Sequence, residues 1–230
     1  MTDKVTCFLP CRAGSQRVTR KNIKPFAGYE HGLIQIKLRQ LLAAKNIDEV
    51  VLTTNDEAIL TYADSLDVPR LKLHRRVEEL SSSATSTDEL VGHALELIPD
   101  GNILWTHVTS PFVTAKHYDK IIESYFAQGE LGRDSLMTTT AIHGFLWQDE
   151  HPVNYDRTIE KWPRSQTLAP VHEVNSGAFL SSVYLYRELG DRIGRRPYLY
   201  AMDKFTGFDI DWHEDFVIAE CLLEKGLATL

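Results

Sequence analysis

Short apolar runs alternate with amphipathic helical repeats through the first half of the chain, and this order is the feature that most limits the fold. Apolar runs predict strands at 5–10, 49–54, 71–74, 102–107, 135–140 and 178–186. Helical repeats predict helices at 33–45, 56–66, 87–98, 116–128 and 216–223. Strands that alternate with helices indicate the α/β class, with a doubly wound and mainly parallel sheet.

Length and composition favour one domain over residues 1–230. The chain has 230 residues, of which 43% are hydrophobic, so it can bury a substantial core. Residues 143–174 show neither the alternation of a strand nor the repeat of a helix and are predicted to be irregular. No apolar run reaches 18 residues and no signal peptide precedes the first strand, so we expect a cytoplasmic protein without a membrane span.

The charge pattern restricts the partners. A sequence pI of about 5.7 and the lack of a long basic, aromatic-rich stretch argue against nucleic acid as a partner. The three cysteines, Cys7, Cys11 and Cys221, show no C-x-x-C spacing, which indicates reduced thiols.

A basic loop follows the first strand. Five Lys or Arg and no Asp or Glu lie between Cys11 and Gly28, in a chain of net charge −7. Gly14 lets backbone amides approach an anion, and Ser15 and the cationic side chains add donors, so the loop predicts a phosphate pocket. Neither G-x-x-x-x-G-K-[ST] nor G-x-G-x-x-G is present, which argues against an ordinary ATPase or a dehydrogenase. A basic surface loop remains the alternative.

Two carboxylates near the C-terminus form a second candidate site. Asp209 and Asp211 are two residues apart, so in an extended chain they share one face. Such a pair can hold Mg²⁺, with waters completing its coordination. For Asp211 the alternative is helix N-capping, with Glu214 three residues further on.

The order of five motifs resembles that of the cytidylyltransferases that make CMP-sialic acid and related CMP-sugars. The loop reads R-x-G-S-x-R-x-x-x-K-N from Arg12 to Asn22, and R-V-E-E-L then leads to Thr87. The strand and turn N-I-L-W-T-H-V-T-S-P-F, then N-S-G-A-F, and finally F-D-I-D-W-H-E-D-F follow at 102–112, 175–179 and 208–216. The chain departs from the family pattern with Gln16 for Lys, His107 for Gln and Val113 for Arg, and with one residue inserted in the N-S-G-A-F stretch.

The resemblance implies a Rossmann-like sheet, a small protruding dimerisation subdomain at about 143–174 and a homodimer. It also implies that CTP and an acidic keto-sugar (sialic, legionaminic or pseudaminic acid type) give a CMP-sugar and pyrophosphate, with Mg²⁺ as the cofactor. The implied nucleotide-binding residues are Arg12, Ala13, Gly14, Ser15, Arg17, Lys21, Asn22, Arg76 and Thr87. The implied catalytic residues are Arg12, Lys21, Asp209 and Asp211, of which the two aspartates would bind the metal. The implied acceptor-binding residues are His107, Arg164, Gln166 and Asn175.

Several alternatives stay open at this point. Arg164 is equally interpreted as a surface residue, and Ser86 with Glu89 as a capping box at the helix that Thr87 begins. The altered positions 107 and 113 also fit a cytidylyltransferase for another acceptor, such as 3-deoxy-octulosonate or a phosphorylated or phosphonate small molecule. A silent nucleotide-binding homologue is the interpretation from another class, although a pure binder has no need of paired carboxylates.

Overall fold

The computed structural model describes residues 3–15, 17–82 and 84–230, so Gln16 lies outside the described residues. The strands are β1 Val5–Pro10, β2 Glu49–Thr54, β3 Leu71–Arg75, β4 Asn102–Trp105, β5 Ser135–Ile142, β6 Trp147–Gln148, β7 His151–Pro152, β8 Val171–Ser182 and β9 Pro197–Met202. The helices are α1 Gly32–Ala43, α2 Glu57–Asp64, α3 Thr87–Leu97, α4 Ala115–Glu130, α5 Val183–Leu189 and α6 His213–Glu224. Among them, none is both long and apolar enough to span a bilayer.

The described strands form a seven-stranded sheet in the order β3-β2-β1-β4-β8-β5-β9. Strand β1 pairs in parallel with β2 and β4, and the pairs β2/β3 and β5/β9 are also parallel. Strand β8 runs antiparallel to both of its neighbours, β4 and β5. The predicted α/β class with a mainly parallel sheet is therefore confirmed, and β8 is the reversed strand within it.

Helices cover both faces of this sheet, as a doubly wound fold requires. Side chains from α1, α2, α4 and α6 pack on one face, and side chains from α3 and α5 pack on the other. Strand β1 is buried along its whole length and serves both layers, with Cys7 in the first and Phe8 in the second. This is why its apolar run is continuous instead of alternating.

Local capping sets the helix boundaries that periodicity left imprecise. The Asp56 carboxylate accepts hydrogen bonds from the amides of Ala58 and Ile59, so α2 begins at Glu57. At α3 the predicted capping box is confirmed, because the Glu89 amide donates to Ser86 Oγ at 3.1 Å and the Ser86 amide donates to Glu89 Oε2 at 2.7 Å.

The predicted strand at 178–186 is wrong at both ends. Strand β8 begins at Val171 and ends at Ser182, where Ser182 Oγ accepts from the Leu185 amide and starts α5. Gly190 ends that helix with a φ of 63°, a conformation that suits glycine. The chain therefore leaves the sheet four residues before the apolar run stops.

Residues 143–174 are less irregular than predicted. Residues 171–174 belong to β8 and pair with residues 139–142 of β5, beyond the part of β8 that pairs with β4. At the end of this extension, β6 and β7 form a short hairpin. A cluster of aromatic rings beside the hairpin stabilises the segment and leaves several of its members exposed. Its members are Phe145, Trp147, Tyr155 and Trp162.

Candidate active site

The basic loop lies at the carboxyl end of β1, where an open α/β sheet places its ligands. Gly14 has a φ of 75°, which allows the chain to reverse there. The Asn22 side-chain amide donates to the Arg12 carbonyl at 3.0 Å, and Asn55 accepts from the Ala13 amide at 2.9 Å. The loop is thus closed on itself and tied to the residue that follows β2.

A cavity of about 580 Å³ opens beside this loop. It brings together most of the predicted nucleotide and metal residues, although they come from distant parts of the chain. The predicted residues that line it are Arg12, Ser15, Arg17, Lys21, Asn22, Arg76, His107, Asp209 and Asp211. Ala13 and Gly14 form the adjoining backbone. Thr87, the first residue of α3, is exposed and does not line the cavity, and the residue of α3 that does is Leu90. The assignment of Thr87 to the nucleotide stays a prediction.

Asp211 pairs with two cations of the basic loop. Its carboxylate accepts from Lys21 Nζ at 3.0 Å and from both Arg17 Nη atoms at 3.0 and 3.1 Å. Partial burial acts to raise the pKa of Asp211, but the hydrogen bonds and charges of Lys21 and Arg17 outweigh it, so the pKa lies below its ordinary value. Arg17 also stacks on the Trp212 ring, 4.9 Å from its centroid.

The N-capping interpretation of Asp211 is wrong. Helix α6 begins at His213, and its N-cap is Trp212. The side chain that caps it is Asp215, whose carboxylate accepts from the amides of Asp211 and Trp212 at 2.8 and 2.7 Å. Because Asp215 caps the helix, the Asp211 carboxylate is left to line the cavity and to pair with Lys21 and Arg17.

Asp209 is the other carboxylate and is far less satisfied. Its Oδ1 is buried with no hydrogen-bond partner among the described residues, and its Oδ2 accepts from Ser176 Oγ at 3.3 Å. Burial raises the pKa of Asp209, and the negative charge of Asp211 adds to this effect. The side chains of Thr109, Lys21 and Ser176 act in the opposite direction without outweighing it. The backbone between the two aspartates is fixed from both sides, because the Ile210 amide donates to Thr109 O at 2.8 Å and the Ile210 carbonyl accepts from Lys21 Nζ at 2.9 Å.

An unpartnered buried carboxylate oxygen beside a second carboxylate suits a hard divalent cation such as Mg²⁺. Within the described residues there is no group of three or more His, Cys, Asp or Glu side chains that would enclose a metal. Asp209 and Asp211 therefore fit an open site at which water and a ligand's oxygens supply the other positions.

Arg76 is a buried residue of the same cavity lining. Its Nη2 donates to the Cys11 carbonyl at 2.9 Å, and its Nε donates to Ser81 Oγ at 3.2 Å. Burial raises the pKa of the adjacent Cys11 thiol to about 12 despite the nearby cations, which disfavours the reactive thiolate.

His107 lines the cavity as a neutral imidazole. Trp105 Nε1, which can only donate, hydrogen-bonds to His107 Nε2 at 3.1 Å, so the ring proton of neutral His107 is on Nδ1. Burial lowers the pKa of His107 to about 3, and the charges of Arg192 and Lys21 act in the same direction.

A second cavity, of about 570 Å³, adjoins the first one. The two cavities share Ser176, Asp209 and Asp211, and the second extends over the ends of β5 and β8. Asn175 lines it, and its amide is held by Thr138 and Thr140, whose Oγ atoms lie 2.6 and 3.1 Å away.

Two predicted acceptor residues lie elsewhere. Arg164 and Gln166 are exposed at a short 3-10 turn around Ser165–Thr167, and neither lines one of these two cavities. Their contact with an acceptor stays a prediction.

One residue that supports the site was missed by the sequence reasoning. Lys37 of α1 is fully buried, and its Nζ donates to Ser110 O at 2.8 Å and to Tyr118 Oη at 2.7 Å. Burial lowers its pKa to about 7. It holds the turn after β4, whose Thr109 carbonyl in turn binds Ile210. A lysine within the apolar stripe of a predicted helix was the available signal.

A basic loop at a strand end, a pair of carboxylates and a doubly wound sheet are together typical of a nucleotide-binding α/β domain. The profile of the family described as Cytidylyltransferase matches residues 6–176, which is more than half of the chain. The chain belongs to this family.

Curated relatives agree with that membership. The N-acylneuraminate cytidylyltransferase of Escherichia coli is 24% identical over 233 residues, covering 98% of this chain and 53% of the relative. The N-acylneuraminate cytidylyltransferase B of Danio rerio is 28% identical over 218 residues, covering 91% and 49%. A pseudaminic acid cytidylyltransferase of Campylobacter jejuni is 34% identical over 119 residues, covering 52% and 50%. The chain therefore spans about half the length of the curated relatives it matches.

Solved structures support the fold. A CMP:2-keto-3-deoxy-manno-octonic acid synthetase complexed with CTP superposes with a TM-score of 0.66 at 15% identity, over 97% of this chain and 99% of that one. A 4-diphosphocytidyl-2C-methyl-D-erythritol synthase from Anaerococcus prevotii gives 0.63 at 15% identity, over 96% of each chain.

Proposed function

We propose that the chain is a CTP-dependent cytidylyltransferase that couples CTP to an acidic keto-sugar of the sialic, legionaminic or pseudaminic acid type and releases pyrophosphate. One observation carries this proposal. The basic loop and the Asp209–Asp211 pair meet in one cavity, and a second cavity adjoins the same two aspartates. The activities for which the curated relatives are named support the choice of nucleotide and of sugar class.

The triphosphate of CTP would occupy the loop cavity. Arg12, Arg17 and Lys21 line it and would neutralise the phosphate charge through charge-assisted hydrogen bonds. Arg76 is a buried residue of the same lining and, as the resemblance implies, would offer a donor to the cytosine end. Positioning and charge stabilisation of this kind account for most of the catalysis in such transfers.

We propose Mg²⁺ as the cofactor, held by Asp209 and Asp211. The orphaned Oδ1 of Asp209 supports this choice. When bound there, Mg²⁺ would neutralise charge on the phosphates and lower the pKa of an attacking hydroxyl. Asp211 would have to release Arg17 and Lys21, which become free to bind the triphosphate.

In the proposed reaction the anomeric hydroxyl oxygen of the sugar forms a bond to the α-phosphorus of CTP. The bond from that phosphorus to the bridging oxygen breaks, pyrophosphate leaves, and the hydroxyl proton passes to solvent. The cationic side chains of the loop would stabilise the charge that develops on the phosphate oxygens and on the leaving group.

The exposed aromatic cluster near the β6–β7 hairpin supports a homodimer as the proposed assembly. Trp147 and Trp162 are 42% and 63% exposed, and Ile159 is 86% exposed. Exposed apolar side chains gathered in one segment are typical of an interaction surface.

Pyrophosphate release with Mg²⁺ tests the reaction, with CTP, UTP, ATP and GTP each offered to four sugars. These are N-acetylneuraminate, legionaminate, pseudaminate and 3-deoxy-manno-octulosonate. We expect release with CTP alone and with one of the first three sugars. Release with the octulosonate only would favour the second candidate, which His107 in place of glutamine also suits. CTP binding without release from any sugar would favour the silent homologue.

A further inference from the structure

The second cavity contains a cation that the sequence motifs do not assign. We propose that Lys204 binds the carboxylate of the acidic acceptor and thereby selects acidic sugars over neutral ones. This inference rests on the proposed function and assigns a binding role within it.

The position of the second cavity makes it the acceptor side of the site. The basic loop borders the first cavity and not the second, whereas Asp209 and Asp211 border both. If the triphosphate lies along the loop, a hydroxyl that attacks next to these aspartates must come from the other side. The sugar that carries this hydroxyl would then fill the second cavity.

Lys204 is the side chain there whose charge suits a carboxylate. It lines the cavity, is exposed, and forms no ion pair with any residue that the structure describes. His143 is the other basic group in the lining, and Glu173 is an acidic one outside the shared aspartates. A carboxylate bound in the second cavity therefore meets a permanent positive charge at Lys204, while Glu173 offers an acceptor to sugar hydroxyls.

The loop that carries Lys204 is ordered by its own hydrogen bonds. The Asp203 carboxylate accepts from the amides of Phe205 and Thr206 at 2.9 and 3.0 Å and from Thr206 Oγ1 at 2.6 Å. Two backbone bonds close the turn, from the Gly207 amide to Asp203 O and from the Phe208 amide to Phe205 O. Asp203 is thus committed to the turn and forms no ion pair with its neighbour Lys204 among the described residues.

Close packing fixes this loop against the cavity floor. A Cβ on Gly207 would lie 2.7 Å from both the Asn175 side-chain nitrogen and Thr140 Oγ1. Little backbone freedom is therefore lost when an anion binds to Lys204, which favours affinity.

The sequence motifs instead pointed to Arg164 as the cation for this carboxylate. Arg164 is exposed at the 3-10 turn and lines neither cavity of its own chain. Arg164 would reach a carboxylate in the second cavity only after a movement of this turn or from a second subunit. The two assignments therefore make different predictions for the same substrate.

Steady-state kinetics on the full chain separates the Lys204 assignment from the Arg164 assignment. The assay contains CTP, Mg²⁺ and N-acetylneuraminate, or whichever sugar of the four-sugar panel reacts. We expect Lys204→Met to raise the KM for the sugar on the order of 10- to 100-fold, as for a lost charge-assisted hydrogen bond, with the KM for CTP within about twofold. Lys204→Arg, which keeps the charge, should recover part of the loss. Lys120→Met, an exposed lysine on α4, is the matched control and should behave as wild type.

The methyl ester of the same sugar provides a test on the substrate side. If Lys204 binds the carboxylate, esterification raises the KM for the sugar strongly in the wild type. In Lys204→Met the same esterification raises the KM little further, because the ester and the substitution remove the same interaction. A sugar KM unchanged in Lys204→Met, or a larger rise in Arg164→Met than in Lys204→Met, would overturn the assignment while the proposed function stands. If the wild type releases no pyrophosphate with any of the sugars, both the Lys204 assignment and the proposed function are overturned.

Discussion

Lys21 and Asp211 lie 190 residues apart in the chain, yet Lys21 Nζ donates a 3.0 Å hydrogen bond to the Asp211 carboxylate. Arg17 binds the same carboxylate through both of its terminal nitrogens. The groups proposed to hold the phosphates and the metal thus hold each other. The Arg17–Asp211 pair is about 40% exposed on both sides, and such pairs contribute about 0–1 kcal/mol, so an incoming ligand can exchange them at small cost.

Asp211→Asn tests this exchange. Removal of the carboxylate charge frees Lys21 and Arg17, so without divalent metal we expect CTP to bind a few-fold tighter, up to about 5-fold, than to the wild type. Turnover with Mg²⁺ should fall on the order of 100-fold. Calorimetry in EDTA measures the affinity for CTP, and the rate of pyrophosphate release measures turnover. Asp100→Asn, at an exposed loop residue, is the matched control. Weaker metal-free CTP binding in Asp211→Asn would contradict the exchange.

Asp209→Asn separates function from stability. The substitution keeps the volume but removes a buried negative charge whose Oδ1 has no partner, so the urea midpoint of unfolding should stay equal or rise. Pyrophosphate release should fall about 100-fold or more because the proposed metal ligand is lost. A normal rate in Asp209→Asn would rule out the metal assignment.

His107 gives the protein a predicted sensitivity to acid. Its pKa is lowered to about 3 in the folded chain, whereas an unfolded histidine titrates near 6.5, so between these values the unfolded chain binds more protons. Stability from this group is therefore present above about pH 6.5 and is lost as the pH falls toward 3. Urea unfolding at pH 7 and pH 5 measures this effect. Between these two pH values the free energy of unfolding should fall less for His107→Gln than for the wild type. Equal losses would show that His107 does not titrate in this way.

Lys37→Met tests a positioning role at a distance from the substrates. Lys37 holds the turn whose Thr109 carbonyl binds the Ile210 amide, so its loss should shift the two aspartates. We expect kcat to fall about 10- to 100-fold with the KM for CTP nearly unchanged, since small misplacements of reacting groups cost this much. Assays well below the melting temperature keep unfolding out of the result. A lowered melting temperature with normal kcat would assign Lys37 a purely structural role.

The fold was largely predictable because its signals are local. Periods of 2 and 3.6 residues identify strands and helices, and the strand–helix alternation led to the doubly wound sheet that the structure has. The strand predicted at 178–186 failed because one apolar run fits the end of a strand and the start of a buried helix equally well, and the Ser182 cap decides between them.

The site was predictable where motifs are contiguous and less so where it depends on packing. Arg12, Lys21 and the two aspartates of the D-I-D stretch line one cavity. His107, which the resemblance assigned to the acceptor, lines this same cavity and not the second one. The environment of Lys37 was not predictable, because its contacts come from residues more than 70 positions away.

The sequence by itself determined the α/β class, the family membership and the residue types of the proposed phosphate and metal site, because each is written in short stretches of chain. Only the tertiary structure decided that Asp215 caps α6 and leaves Asp211 to Lys21 and Arg17, that Arg164 lies outside both cavities, and that Lys204 lies inside one. These outcomes depend on which distant parts of the chain pack together. That packing sets the burial of each group and the charges around it, and neither can be read from the spacing of residues along the chain.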